Sequence, residues 1–355
     1  MNLKKTEQMI QQKFENKDFD TYAILVHYGN EEKTFFSENA DEFTYFDVAS
    51  TGKILVTSAL ILQAISRGLL KLDSTLSEFF EIEDDTKRNI TIQQLLTHSS
   101  GIIRYPITEE AVKGGSKGVA DEIIAHPLHF APGTSCTYSC NGFILLGYIL
   151  EKIYGKPLEE IYRINIKEPL DLKRTAFRIG LDEPNAAVCY NYQRTEETKE
   201  RFDDGNILML GNSAGSGGQQ SCLHDIRLFL NAVMERNELL YSRELFDLAE
   251  KSYIADIPEG NTRGLGYVVV NGVDPQTKKL FPVGSFGHTG FTGQSFFLNR
   301  EKDLYVILLT NTTRCTNVRN HFKGLTSEDY LCTKKMREDL HNAIYEDLFA
   351  EHTEE

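Results

Sequence analysis

Residues 46–60 read FDVASTGKILVTSAL, and this stretch places Ser50 at the start of a strongly apolar segment. Lys53 follows three residues later, among aliphatic side chains. Burying an ammonium group is costly unless the charge is paired or used. On a helix, residues three apart face the same way, so Ser50 and Lys53 are predicted to lie side by side, with Thr57 continuing the same face.

The pairing of serine and lysine has two interpretations. A serine hydroxyl becomes a good nucleophile when a base takes its proton. A lysine can be that base when burial lowers its pKa well below the usual value of about 10.4. The N–H groups at a helix N-terminus would favour an oxyanion beside Ser50. The same pattern also fits an N-cap serine followed by a lysine whose ammonium group reaches solvent.

Composition and charge exclude several classes of function. The chain has 355 residues, enough for a sizeable core, and 41% of them are hydrophobic. A formal net charge of -14 disfavours nucleic-acid and anionic-membrane partners. Residues 1–20 predict an exposed amphipathic helix instead of a signal peptide. The longest apolar run, 54–65, is too short and too polar to span a bilayer. We therefore expect a cytoplasmic protein with no membrane partner.

The six cysteines show no regular framework, and we expect them to be reduced. His126 and His129 are close in sequence, but no third metal ligand is evident near them. No other His or Cys spacing is typical of a metal site. The sequence therefore predicts neither a metal nor a cofactor.

Strand patterns occur at both ends of the chain. Residues 21–39 predict two strands around a Gly-Asn turn. Residues 285–312 predict two or three more strands, with a hairpin turn at 299–303. The segment 333–349 predicts an amphipathic closing helix. Helical patterns dominate the chain between the two groups of strands.

These patterns predict an α/β protein of the α+β type. We expect one antiparallel sheet built from residues 1–74 and 246–355 and flanked by helices. Residues 75–245 would form an inserted, mainly helical region. The active site would occupy the cleft between the two.

Two further stretches carry candidate chemistry. Tyr138 precedes a predicted helix, and a phenol near an amine can move protons if its pKa of about 10 falls. Residues 286–297, FGHTGFTGQSFF, carry glycines that would keep a strand edge open to a substrate backbone. The plainer interpretations are a packed tyrosine at a helix start and a glycine-rich bulge.

Taken in order, these three elements resemble the motifs of the serine β-lactamase and penicillin-binding protein superfamily, which include Ser-x-x-Lys. The nearest branch is the class C β-lactamase-like group, which also holds family VIII esterases, D-aminopeptidases and D,D-carboxypeptidases. Residues 91–102, TIQQLLTHSSGI, and 166–177, IKEPLDLKRTAF, also resemble segments of that group. The resemblance runs in patches from about Tyr45 to Thr310, and it implies a serine β-lactamase-like fold.

The resemblance implies a role for each matching residue. Ser50 would be the nucleophile, Lys53 its activating partner, and Tyr138 the general base and acid. The backbone N–H groups of Ser50 and Phe291 would form the oxyanion hole. His98, within the resembling block but in none of the motifs, is interpreted as a structural hydrogen-bonding residue. The substrate-binding and oxyanion positions are His288, Thr289, Gly290, Phe291 and Cys140.

Two departures from the family pattern bear on the substrate. Cys140 stands where the second motif, Tyr-x-Asn, has asparagine, and a thiol donates and accepts hydrogen bonds only weakly. His288 stands where many members have lysine, and a neutral imidazole supplies less positive charge for a substrate carboxylate. Both departures favour an ester or amide over a β-lactam.

We therefore expect a serine hydrolase that forms an acyl-enzyme on Ser50 with a small ester or amide. One alternative is a true β-lactamase or D,D-peptidase. Another is a non-catalytic, penicillin-binding-like module that only holds a ligand. Residues 104–121 and 191–206 are expected to be loops over the cleft that determine specificity.

Overall fold

The structure of the protein is a computed structural model. It describes residues 1–177, 179, 183–187, 189–190, 199–200, 210–211, 214–254, 262–272, 281–311 and 327–349.

The two ends of the chain share one six-stranded sheet. In chain order, the strands are β1 (Tyr22–Tyr28), β2 (Glu31–Phe36), β3 (Phe46–Asp47), β4 (Ala176–Phe177), β5 (Cys189–Tyr190), β6 (Lys199–Glu200), β7 (Gln219–Ser221), β8 (Val268–Val269), β9 (Phe286–Thr289), β10 (Ser295–Asn299) and β11 (Leu304–Thr310). The large sheet has the order β2-β1-β11-β10-β9-β8, and its neighbouring strands are antiparallel. Smaller sheets join β3-β7-β4 and β5-β6. The predicted antiparallel sheet from both chain ends is confirmed.

Both predicted hairpins form at the expected turns. Gly29 links β1 to β2 with a φ of 59°, in the left-handed region where glycine has no steric penalty. The second turn closes between Asn299 and Leu304, where the Asp303 N–H donates to the Arg300 carbonyl at 3.2 Å. The Asn299 side chain also accepts from the Lys302 N–H at 3.1 Å.

Helices occupy the chain between the strands and at both termini. In chain order they are α1 (Lys4–Glu15), α2 (Ala59–Ser66), α3 (Asp85–Arg88), α4 (Ile92–Leu96), α5 (Glu109–Lys113), α6 (Gly115–Ala125), α7 (Cys140–Tyr154), α8 (Leu158–Tyr162), α9 (Leu223–Met234), α10 (Arg243–Glu250) and α11 (Ser327–Phe349). Short 3₁₀ segments cover Ala49–Thr51 and Leu76–Glu78, and π-helical segments cover Lys53–Ser58 and Arg163–Lys167.

The opening stretch of the sequence is helical in three successive forms. A 3₁₀ turn at Ala49–Thr51 leads into the π-helix Lys53–Ser58, which continues as α2. The helix ends at Ser66, close before Gly68, whose φ of 71° is incompatible with helix continuation. Ala49–Ser66 is long and apolar enough to cross a membrane, but 78% of this window is buried inside the protein, as in a core helix.

The large sheet is buried on both faces. Ala23 and Leu25 of β1 belong to the cluster that packs against the helical region. Ile24 and Val26, which point to the opposite face, belong to a second cluster. That second cluster includes residues of α1 and the buried Met336, Leu340 and Ile344 of α11. The predicted amphipathic helices at the two termini are therefore confirmed, and they cover the outer face of the sheet.

The prediction of a loop at 104–121 is wrong for most of this segment, which is helical. Helices α5 and α6 occupy residues 109–113 and 115–125. Thr108 caps α5 by accepting from the Ala111 N–H at 3.2 Å. Gly118 allows close packing, because an added Cβ would lie 2.5 Å from the Ala111 carbonyl oxygen. Gly118 therefore serves helix packing. The second predicted loop, 191–206, lies outside the described residues except for β6.

Candidate active site

Three distant parts of the chain converge on one hydroxyl group. The Tyr138 Oη lies 2.6 Å from Ser50 Oγ, and the Lys53 Nζ lies 3.1 Å from the same atom. Lys53 Nζ is also 5.1 Å from the centre of the Tyr138 ring. A hydroxyl, an amine and a phenol thus share one site, as the sequence motifs predict.

Lys53 is fully buried and held by several partners. Its ammonium group donates to the Ser216 carbonyl at 2.7 Å as well as to Ser50. Cys140 Sγ lies 3.6 Å from the same nitrogen. Thr57, on the same helical face, donates to the Gly215 carbonyl at 2.6 Å. The backbone of 215–216 therefore anchors the face that carries Lys53, and sequence reasoning missed this segment.

The backbone around Ser50 is held in an uncommon conformation. Ala49, directly before Ser50, has a φ of 45°, which costs energy for a residue with a side chain. Its N–H donates to the Asp47 carboxylate at 2.8 Å, which helps to hold this turn. Gly52 allows close contact with Gln219, because an added Cβ would lie 2.0 Å from the Gln219 Oε1. Such strain is typical of functional sites.

Tyr138 is positioned from two sides. Ser139 caps α7 by accepting from the Gly142 N–H at 3.3 Å. The Ser139 N–H donates to His98 Nδ1 at 3.2 Å, and the His98 ring lies 4.7 Å from the Tyr138 ring. The predicted hydrogen-bonding role of His98 is confirmed: its carbonyl also accepts from the Thr137 N–H at 3.0 Å, next to Tyr138, and its φ of 57° lies in the left-handed region.

The electrostatic surroundings keep Tyr138 protonated at rest. Although 37% of the Tyr138 residue is exposed, desolvation of its hydroxyl raises the pKa of the phenol above its usual value. The Lys53 charge and the hydrogen bonds with Lys53 and Ser50 offset this only in part. A lowered pKa, which Tyr138 would need to act as a base near neutral pH, does not arise, because desolvation outweighs the nearby ammonium group. A protonated phenol is a proton donor towards Ser50 Oγ.

The third motif lies directly against the segment that precedes Ser50. An added Cβ on Gly290 would lie 3.0 Å from the Val48 carbonyl oxygen. The Thr292 hydroxyl donates to the Asp47 carbonyl at 3.2 Å. Phe291 lies between these two contacts, and Thr289 ends β9. The strand edge therefore reaches the site.

His288 is buried and neutral. Burial, followed by the charges of Arg263 and Lys53, lowers its pKa well below the usual value. Its Nδ1 lies 2.7 Å from the Thr289 carbonyl oxygen, and its ring lies 6.1 Å from the Tyr138 ring. His288 therefore supplies no positive charge, which agrees with the expectation from its residue type.

Two arginines near the site were missed by sequence reasoning. Arg337 of α11 donates to the Gly290 carbonyl at 2.6 Å. Arg263 lies with its guanidinium carbon 5.6 Å from the centre of the Tyr138 ring. Neither belongs to a motif, and both approach from chain segments far from Ser50. The two glycines of the sequence GLGY, directly after Arg263, could have indicated a tight turn at this place.

The chain is similar in sequence to known proteins. The family model described as Beta-lactamase matches residues 6–322. A curated relative from Escherichia coli O157:H7, named "Putative D-alanyl-D-alanine carboxypeptidase", is 27% identical over 304 residues, which cover 76% of this chain and 69% of the relative.

Solved structures show the same fold. The octameric penicillin-binding protein homologue from Pyrococcus abyssi has a TM-score of 0.69 and 24% identity, with 90% of this chain and 76% of that chain covered. The beta-lactamase/D-alanine carboxypeptidase from Pseudomonas syringae has a TM-score of 0.74 and 18% identity, with 99% of both chains covered. The predicted serine β-lactamase-like fold is confirmed.

Proposed function

The chain belongs to the beta-lactamase family of serine hydrolases, and on this premise we propose that it cleaves a small ester or amide through an acyl-enzyme on Ser50. The observation that carries this proposal is the convergence of Tyr138 Oη and Lys53 Nζ on Ser50 Oγ, at 2.6 and 3.1 Å. A nucleophile within hydrogen-bond distance of its proton acceptors is the arrangement that covalent catalysis requires.

In this mechanism, Ser50 Oγ attacks the substrate carbonyl carbon while its proton passes to the pair formed by Tyr138 and Lys53. The backbone N–H groups of Ser50 and Phe291 stabilise the negative oxygen of the tetrahedral intermediate. The carbon–heteroatom bond then breaks, and Tyr138 returns the proton to the leaving alcohol or amine. Water releases the acyl group by the same steps in reverse order.

The side chains around Ser50 support an ester or amide substrate. Cys140 replaces an amide side chain by a thiol, and its Sγ lies 3.6 Å from Lys53 Nζ. His288 is neutral, so it does not take the place of the lysine that binds carboxylates in many members. His288, Thr289, Gly290 and Phe291 would lie along the bound substrate, which would pair with the strand edge.

The alternative is a β-lactamase or D,D-peptidase activity, and the names of the curated relatives favour it. A non-catalytic ligand-binding module is a further alternative, because the motifs alone do not prove turnover. We also propose that residues 1–74 with 246–355 and residues 75–245 form the two regions that flank the site. A cytoplasmic location, a small-molecule partner and the lack of nucleic-acid or membrane partners stay predictions.

Active-site labelling tests the proposal. A fluorescent phosphonate should attach to Ser50, and Ser50→Ala should lose the adduct. Ser58→Ala is a matched control, because Ser58 Oγ is buried in the same helix and finds no hydrogen-bond partner among the described residues. An adduct that persists in Ser50→Ala would refute the assignment of Ser50 as the nucleophile.

Substrate comparison separates the alternatives. We expect turnover of short-chain nitrophenyl esters or D-amino acid amides to exceed that of a chromogenic cephalosporin. Fast cephalosporin turnover without esterase activity would favour the β-lactamase alternative. A protein that is labelled and never deacylates would favour the binding module.

A further inference from the structure

Arg337 of the closing helix α11 binds the backbone of the third motif. Only 4% of the surface of Arg337 is exposed. Its Nη1 donates to the Gly290 carbonyl at 2.6 Å, and the two residues are 47 positions apart in the chain. A hydrogen bond from a charged donor is shorter and stronger than one between neutral groups. The closing helix therefore holds one particular peptide group of the third motif firmly in place.

The carbonyl that Arg337 binds and the Phe291 N–H belong to the same peptide group. The described residues contain no cis peptide bond, and in a planar trans peptide the C=O and N–H bonds point in opposite directions. The Phe291 N–H therefore points away from Arg337. Hydrogen bonds in a chain polarise one another, so donation to the carbonyl oxygen makes the N–H of the same peptide a stronger donor. One contact thus sets both the direction and the strength of this N–H group.

This peptide lies in a tight turn beside the segment that precedes Ser50. The Gly290 carbonyl also accepts from the Gly293 N–H at 3.3 Å, across the turn. An added Cβ on Gly290 would lie 3.0 Å from the Val48 carbonyl oxygen, so the two backbones are in close contact. The Phe291 N–H is therefore held next to the chain that leads into Ser50.

A second residue of α11 holds the other side of the same turn. His341 follows one helical turn after Arg337, and its Nε2 lies 2.9 Å from Ser295 Oγ. Ser295 pairs with Thr289 across β9 and β10, so the two contacts of α11 enclose the turn. Burial lowers the pKa of His341 to about 3, and the ring is therefore neutral at physiological pH. Of these two contacts, the one from Arg337 carries the charge.

We propose that Arg337 is a positioning residue for the oxyanion hole, because its bond to the Gly290 carbonyl orients and polarises the Phe291 N–H. This inference rests on the proposed serine hydrolase function. In this role Arg337 acts through a peptide group and not on the substrate directly. The negative charge on the substrate oxygen develops only in the transition state, so Arg337 should affect the rate of acylation more than the binding of substrate.

A double-mutant cycle tests whether Arg337 acts through this N–H group. Arg337→Met should lower the rate of Ser50 acylation by a saturating nitrophenyl ester by about 10- to 100-fold, up to the lower range for loss of an oxyanion-hole donor. The ester concentration that gives half the maximal rate should change little. Arg337→Lys keeps a charged donor and should restore part of the rate.

The second variant of the cycle deletes the donor itself. Phe291→Pro removes the N–H, and proline is compatible with the second position of a tight turn. In the Phe291→Pro protein, Arg337→Met should change the acylation rate by less than about threefold, because two changes that act through one group are not additive. Equal losses from Arg337→Met in both backgrounds would overturn the proposal. Unchanged acylation in folded Arg337→Met would also overturn it.

Arg300→Met is the matched control. Arg300 also donates to a backbone carbonyl, that of Met234, but it follows β10 at the opposite end of the hairpin. Loss of this guanidinium should lower the free energy of unfolding and leave the acylation rate nearly unchanged. An equal loss of acylation in Arg300→Met and Arg337→Met would show a general effect of destabilisation and would overturn the proposal.

A spectroscopic measurement is independent of turnover and of the folding of Phe291→Pro. A phosphonate on Ser50 places a phosphoryl oxygen where the oxyanion would form, and its phosphorus NMR shift reports the hydrogen bonds to that oxygen. The adducts of the unaltered protein and of Arg300→Met should share one shift, and the Arg337→Met adduct should differ from both. One shift for all three adducts would overturn the proposal and leave the proposed function intact. If no phosphonate attaches to Ser50 of the unaltered protein, the proposed function fails, and this inference fails with it.

Discussion

At the scale of single residues, the resting site presents Ser50 as an acceptor of two hydrogen bonds. Both Tyr138 Oη and Lys53 Nζ lie within hydrogen-bond distance of its Oγ. For attack, the Ser50 proton must move in the opposite direction, into the same pair. The pKa of Tyr138 is raised, so an uncharged amine or a minor phenolate form must start the reaction.

We predict that Tyr138→Phe lowers the rate of Ser50 acylation by about 100- to 10,000-fold, the range of a lost general acid–base group. The measurement is single-turnover labelling with a nitrophenyl ester. Tyr154→Phe, at the far end of α7, is the matched control and should act like the unaltered protein. Unchanged acylation in Tyr138→Phe would assign the proton transfer to Lys53 alone.

The raised pKa of Tyr138 also predicts the pH dependence of kcat/KM. A raised pKa means that the phenol binds its proton more tightly than usual, so deprotonation requires alkaline pH. Activity should therefore increase from neutral pH upwards and continue to increase towards the usual phenol pKa of about 10. Tyr138→Phe should flatten this increase. A profile that falls between neutral and alkaline pH would contradict the assignment.

At the scale of secondary-structure elements, local sequence patterns predicted turns and amphipathic helices correctly, because these features depend on neighbouring residues. The Gly29 turn follows from backbone freedom, and the buried face of α11 with Met336, Leu340 and Ile344 follows from the helical period; both predictions were correct. The loop prediction at 104–121 failed because two helices, α5 and α6, form there, and the close contact of Gly118 with Ala111 that joins them is not revealed by a single sequence.

The site residues that belong to a sequence motif were predictable. Those that reach the site only through tertiary packing were not. Ser50, Lys53 and Tyr138 were identified from motifs, and the structure brings them together. The Ser216 carbonyl, which accepts from Lys53, is 163 residues away in sequence and contributes only backbone. Arg263 likewise becomes notable only once its burial and its unpaired nitrogens are known.

Packing of α7 against the 215–216 segment gives a prediction at this scale. An added Cβ on Gly215 would lie 2.0 Å from the Phe143 carbonyl oxygen, whereas one on Gly142 would have its nearest neighbour at 3.6 Å. Gly215→Ala should therefore destabilise the protein by about 1–3 kcal/mol and lower kcat by displacing the Lys53 acceptor. Gly142→Ala should be neutral or stabilise by up to about 1 kcal/mol.

Urea unfolding and kcat measurements on the two glycine variants test this expectation. Equal stabilities would show that α7 can move away from the segment without cost. A Gly215→Ala protein that is less stable but fully active would show that the Ser216 carbonyl does not need this packing to reach Lys53.

At the scale of the whole molecule, the site depends on both ends of the chain. Strand β1 pairs with β11, from Tyr22 opposite Thr310 to Tyr28 opposite Leu304. The first hairpin leads to the Ser50 helix, and the last strands carry His288 and Gly290. The sheet that joins the ends therefore sets the distance between the nucleophile and the substrate-binding strand, and loss of either end should abolish the site.

An ion pair between the terminal helices provides a direct test of this coupling. The Lys13 Nζ of α1 lies 2.6 Å from the Asp339 carboxylate of α11 and 3.3 Å from that of Asp18. The side chains of Lys13 and Asp339 are mostly buried. Burial alone would raise the pKa of Asp339, but hydrogen bonds from Lys13 and Lys335 outweigh it and lower that pKa. The pair therefore stabilises the folded chain when Asp339 is ionised.

We predict that Asp339→Asn lowers the free energy of unfolding at neutral pH by about 1 kcal/mol, towards the upper end for partly exposed pairs. A folded-state pKa below the unfolded value of about 3.9 means that this stabilisation is complete above that pH and is lost as the pH falls through the folded pKa. Urea unfolding at pH values from neutral to acidic should therefore show the free energies of unfolding of the two proteins converging.

The control is Asp121→Asn, which breaks the exposed pair with Lys117. It should lower the free energy of unfolding by less at every pH, because that pair is well solvated. An equal loss in the two variants would show that the terminal helices are not held together by this contact, and that apolar packing of Met336, Leu340 and Ile344 alone secures the closing helix.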